Sequence, residues 1–107
     1  ILVVTFLSDD GNYVDKGMPA DWKASLVAAK NGDENAIVVA GLIPRPDLDC
    51  INKQSDDNTQ GSHWAEFIGL WGAHGISGSI CELDYAPFFA EAVAAIDQTC
   101  EQFNPPG

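Results

Sequence analysis

Three apolar runs, residues 1–7, 36–43 and 76–80, are each followed by a segment whose apolar residues recur at helical spacing. Few folds are open to such a chain. Strands separated by helices cannot close as hairpins, so they run parallel and are joined by right-handed crossovers. The first two runs lack alternation between apolar and polar residues, the pattern of strands covered on both faces. The third is short and interrupted by Gly78. The expected fold is therefore α/β, a three-stranded parallel βαβαβα segment of a doubly wound, Rossmann-like sheet with helices on both faces.

Local signals mark where each element starts and stops. Asp21 is expected to cap a helix from Trp22 to about Lys30, with Trp22, Leu26 and Ala29 on its buried stripe and Gly32 ending it. Pro44 and Pro46 stop the second strand, and residues 44–61 read as a long polar loop. Ser62 is the expected cap of a helix carrying Trp64, Phe67, Ile68 and Trp71 on one side. Asp84 is the expected cap of the last helix, with Pro87 in its first turn and a staple between Leu83 and Phe88. Phe89, Val93, Ile96, Cys100 and Phe103 follow at steps of three and four, which predicts that they form its buried face. Residues 1–103 read as one folded unit and 104–107, Asn-Pro-Pro-Gly, as a tail or linker.

Five basic against sixteen acidic residues give a formal net charge of −11. Such a surface repels phosphate backbones and anionic lipids, which argues against nucleic-acid binding. No apolar run approaches the ~20 residues that cross a bilayer, so direct membrane insertion is not expected. The chain opens inside its first strand, without an initiator Met or a signal peptide. Three strands alone would also leave one edge bare, so the expectation is a segment of a larger domain. Cys50, Cys81 and Cys100 lack the close pairing of a zinc site. An odd count fits an exported, oxidised protein with one internal disulfide, the plainer alternative being chance buried thiols.

In open parallel sheets, ligands bind beyond the carboxyl ends of the strands. Those ends carry Ser8-Asp9-Asp10, then Asp47 and Asp49, then Cys81-Glu82 and Asp84. Carboxylates gathered on one edge are hard oxygen donors suited to Mg²⁺ or Ca²⁺, although Asp also favours loops and caps for purely local reasons. His63 and His74 fall near opposite ends of one helix and are not expected to share a ligand. No Gly-rich phosphate loop, Gly-x-Ser-x-Gly elbow or His-Glu-x-x-His is present, so the expectation is not an enzyme.

The run Val3-Val4-Thr5-Phe6-Leu7-Ser8-Asp9-Asp10 resembles the fourth strand of a von Willebrand factor A domain, which typically ends in Leu-Thr-Asp-Gly. Trp22 to Lys30 followed by Glu34 to Gly41 resembles its next helix and fifth strand, and the segment from Ile76 to Ala95 its sixth strand and closing helix. The likeness covers the C-terminal half of such a domain and is closest to cysteine-containing A-like domains of bacterial exported proteins and lipoproteins. It implies a metal-ion-dependent adhesion site in which Asp9 holds Mg²⁺ or Ca²⁺, and a partner that is a protein or a cell-surface polymer. It also implies an extracellular or cell-envelope location. Asp10 stands where the family has Gly, and the family's Asp-x-Ser-x-Ser motif is not in this sequence, so the site is partial here. The A-domain strand order makes the second and third strands neighbours, which implies a disulfide between Cys50 and Cys81. The alternative functions are a fragment of an α/β hydrolase or phosphatase-like enzyme, or a structural domain without metal binding.

Overall fold

The computed structural model describes residues 1–8, 17–44 and 61–103. Its elements are β1 (Leu2–Leu7), α1 (Pro19–Ala29), β2 (Ile37–Ile43), α2 (Gly61–Gly69), β3 (Gly75–Ser79) and α3 (Ala86–Gln102). Short 3-10 turns, Glu34–Ala36 and Gly72–His74, lead into β2 and β3. The strands form one parallel sheet in the order β1-β2-β3, with Leu2 opposite Ile37 and Val39 opposite Gly75. The α/β architecture expected from the alternation of elements is the one found.

Both crossovers step the same way across the sheet, so their common handedness puts α1 and α2 on one face. There Ile37, Val39 and Ile43 of β2 pack with Phe67, Ile68 and Trp71, and Leu2, Val4, Phe6, Trp22, Leu26 and Trp64 close the margins. The other face belongs to α3, where Ala40 and Leu42 meet Phe88 and Ala92, flanked by Ile76 and Ile80. β2 is thus covered on both sides, and all seven of its residues are buried.

β1 departs from the sequence reading. Its burial alternates: Leu2, Val4 and Phe6 turn toward the α1–α2 layer, while Val3 is 38% and Leu7 67% exposed. The reason is one of widths. A helix about 10 Å across covers roughly two strands spaced about 4.8 Å apart, and α3 packs on β2 and β3. An apolar run without alternation shows that a strand could be covered twice, not that it is.

The buried face of α3 also differs from expectation. Phe88, Ala92 and Thr99 are buried, whereas Phe89, Val93 and Cys100 are exposed, so the helix is rotated by about one residue. Gly78 explains the choice. A Cβ on it would stand 2.7 Å from the Phe88 ring and 2.9 Å from Leu42, so the absent side chain is the space that Phe88 fills. Leu83 is fully exposed and forms no staple, because Phe88 is turned to the sheet. The buried Thr99 hydroxyl donates to the Ala95 carbonyl at 2.7 Å, so its burial leaves no donor unmet.

Two caps shift in the same way. Met18, not Asp21, is the N-cap of α1, and Asp21 sits at the third helical position, where its carboxylate accepts the Met18 N–H at 2.8 Å. Tyr85 is the N-cap of α3, and Asp84 accepts the Ala86 N–H at 2.9 Å from one residue earlier. Gly32 does end α1 as expected, with φ of +86° and its N–H donated to the Val27 carbonyl at 2.9 Å.

Candidate functional site at the carboxyl edge of the sheet

The strand ends are held level by two backbone bonds that continue the ladders beyond the strands. Ser8 N–H donates to the Leu42 carbonyl at 3.0 Å, and Ile80 N–H to the Ile43 carbonyl at 3.1 Å. Parallel pairing in this register brings Ser8, Pro44 and Ile80 out along one edge. Asp9 is next in sequence after Ser8, but it lies outside the described residues, as do Asp10, Asp47, Asp49 and Cys50.

The third strand's end is described in full. After Ser79 the chain turns, with Cys81 N–H donated to the Ser79 hydroxyl at 3.0 Å. That bond lets Ser79 be buried at 3% exposure without an unmet oxygen. The Tyr85 hydroxyl reaches back to donate to the Ile80 carbonyl at 2.7 Å, which pins the start of α3 to the strand end. Between them lies a cleft of about 280 Å³, with Leu42, Gly78 and Phe88 as apolar lining and Ser77, Glu82, Asp84 and Glu91 among its polar walls.

These walls are oxygen-rich and acidic, the chemistry that suits a hard cation or an ammonium group. Asp84 already uses one oxygen on the Ala86 N–H, and Glu82 and Glu91 are exposed. Among the described residues, no three His, Cys, Asp or Glu side chains come together closely enough to hold a metal ion. Glu82 and Asp84 therefore do not form a coordination set on their own. The sequence reading does not single out Glu91, which joins the edge only through the turn after β3.

The histidines are structural and separate. His74 Nδ1 lies 2.9 Å from the Ile37 carbonyl, which fixes a protonated Nδ1 there and ties the Gly72–His74 turn to the first residue of β2. His63 meets the Trp22 ring edge-on at 6.4 Å between centroids. Trp71 and its neighbours are core rather than a binding platform, in line with their helical spacing. Cys81 is disulfide-bonded, and Cys100 is free and exposed.

No helix among the described residues is long and apolar enough to cross a membrane. No family model, curated protein or solved structure matches the chain.

Proposed function

We propose that the chain is a binding segment rather than an enzyme, an adhesion-type module similar to the C-terminal half of a von Willebrand factor A domain. It would act in an exported protein, outside the cell or in the cell envelope, and attach to a protein or a cell-surface polymer. The observation that carries this reading is the parallel order β1-β2-β3, which delivers three strand ends to one edge with Ser8 at the end of the first. In open sheets that edge is where ligands bind.

Asp9 would contribute a carboxylate to Mg²⁺ or Ca²⁺, and an acidic group of the partner would complete the coordination. Oxygen donors are the right kind for either ion, but each needs about six or more. The described part of the edge offers too few by itself, and the site is proposed as partial because the family's Asp-x-Ser-x-Ser motif is not in this sequence. The Cys50–Cys81 bridge proposed from the same likeness would anchor the 44–61 segment beside this edge.

Calorimetric titration of MgCl₂ and CaCl₂ into the protein tests the reading. The expected result is weak saturable binding, on the order of millimolar, that disappears in Asp9→Ala. Binding of the same strength in the variant, or none in the wild type, would remove Asp9 from the site. Submicromolar affinity would mean a complete site built from other residues.

A further inference from the structure

The turn that ends α1 carries the one Asn-Gly pair of the sequence, Asn31-Gly32; every other asparagine is followed by Tyr, Ala, Lys, Thr or Pro. Asn31 has φ +57° and Gly32 φ +86°, the left-handed region that closes a helix and that Asn and Gly enter most easily. The same pair is chemically labile. Glycine puts no side chain between its backbone nitrogen and the side-chain amide of the preceding asparagine. Asn31 is exposed and nothing lies within 4 Å of a Cβ built on Gly32, so packing does not shield the pair.

Hydrogen bonding holds it instead. The Gly32 N–H, whose nitrogen would be the nucleophile, donates to the Val27 carbonyl at 2.9 Å. On either side, Asn31 N–H donates to the Ala28 carbonyl and Asp33 N–H to the Lys30 carbonyl, both at 3.1 Å. We propose that Asn31 is a site of spontaneous deamidation gated by this cap, inert while the cap is closed and converted when the end of α1 opens. In the open state the Gly32 amide gives its proton to hydroxide, and its nitrogen bonds to Asn31 Cγ. The Cγ–Nδ2 bond breaks, and the nitrogen leaves as ammonia, taking a proton from water and returning the hydroxide. Water then opens the cyclic imide at either carbonyl, giving aspartate or isoaspartate, and the formal net charge goes from −11 to −12. Isoaspartate adds a methylene to the main chain inside the ring that the Gly32–Val27 bond closes, so conversion leaves this end of α1 frayed. Every bond of the gate lies within residues 27–33, and the inference uses neither Asp9 nor a metal.

Peptide mapping of the full chain, kept in mildly alkaline buffer with and without guanidinium chloride, follows the conversion of each asparagine. Conversion at Asn31 is expected to be at least about tenfold slower in the native protein, because only the opened fraction reacts. In the denatured chain Asn31 should convert before any other asparagine. Ala28→Gly, at an exposed position in the last turn of α1, weakens the helix end without touching the Asn-Gly pair. It should raise the native rate about three- to fivefold and leave the denatured rate unchanged. Equal rates in native and denatured protein, earlier conversion at another asparagine of the denatured chain, or a native rate indifferent to Ala28→Gly would overturn the proposal.

Discussion

Gly75→Ala tests how α2 and β3 meet, because two opposite effects can be sized from the geometry. Gly75 has φ −106° and ψ 119°, an extended conformation open to any residue. Alanine there brings no backbone strain and would reduce the freedom of the unfolded chain, which by itself stabilises by about 0.4–1 kcal/mol. Against this, a Cβ on Gly75 would stand 2.1 Å from the Ile68 carbonyl oxygen and 3.1 Å from its carbon. Ordinary contact is about 3.5 Å, so more than ~1 Å must open between the strand and the helix end. The carbonyl cannot swing aside freely, since it accepts the Trp71 N–H at 3.1 Å and Ile68 is buried in the core. Overpacking costs about 1–3 kcal/mol, and a weakened hydrogen bond about 1 kcal/mol more. After the entropic gain, a net loss of about 1–3.5 kcal/mol remains. Urea unfolding followed by tryptophan fluorescence reads this directly, because Trp64 and Trp71 lie at the joint. With a slope of about 1.5 kcal/mol/M, the midpoint should fall by roughly 0.7–2.3 M. Gly69→Ala is the control, since nothing lies within 4 Å of its added Cβ, and it should be neutral or stabilise by up to about 0.5 kcal/mol. A Gly75→Ala midpoint within experimental error of wild type would refute the contact between Ile68 and Gly75.

Three further outcomes follow from the packing. Phe88→Ala should cost about 3–5 kcal/mol while Leu83→Ala changes stability by less than about 0.5 kcal/mol, and thermal melts giving equal losses would restore the staple that the structure lacks. Lys23→Met should cost about 1–2 kcal/mol, because Nζ donates to the Leu70 carbonyl at 2.9 Å and lies 5.2 Å from the centre of the Trp71 ring. Glu34→Gln removes only a surface partner of the same lysine and should change chemical denaturation by less than about 0.5 kcal/mol; a larger effect for Glu34 than for Lys23 would invert this account. Non-reducing peptide mapping should recover Cys50 linked to Cys81 and Cys100 as a thiol, and any bridge to Cys100 would contradict both the proposed pairing and the exposed free thiol of α3.

The sheet was legible because each strand is a short apolar run ended by glycine, proline or polar residues, and each intervening segment changes to helical spacing. The stripe of α2 was legible for the same reason: Phe67, Ile68 and Trp71 are apolar while Glu66 and Gly69 between and beside them are not candidates for a core. In α3 the signal is degenerate. Phe88, Ala92 and Thr99 compete with Phe89, Val93 and Cys100, and the second set is the more hydrophobic. The tie is broken by Gly78, more than seven residues away on another element, which no periodicity along the helix can reveal. At the carboxyl edge, the sequence order placed Glu82 and Asp84 beside the strand ends, and the capping role of Asp84 was legible in kind, though its oxygen goes to the Ala86 N–H from one residue before the cap. Asp9 and Cys50 lie outside the described residues, so their roles rest on the resemblance and the strand order.

The two neighbours of β2 give the sheet a gradient in how fast its backbone amides trade hydrogen with solvent. Every residue of β2 is buried and the strand is paired with β1 and β3, the N–H of its first residue, Ile37, going instead to the Glu34 carbonyl, so its ladder amides exchange only when the sheet comes apart. Its slowest exchange rates should therefore report the free energy of global unfolding. Among the described residues β1 pairs only with β2, so about half of its amides point away from β2 along its other edge. Along six residues the rates should alternate between slow and fast, and a ligand strand added to that edge would register as slowing of the fast set alone.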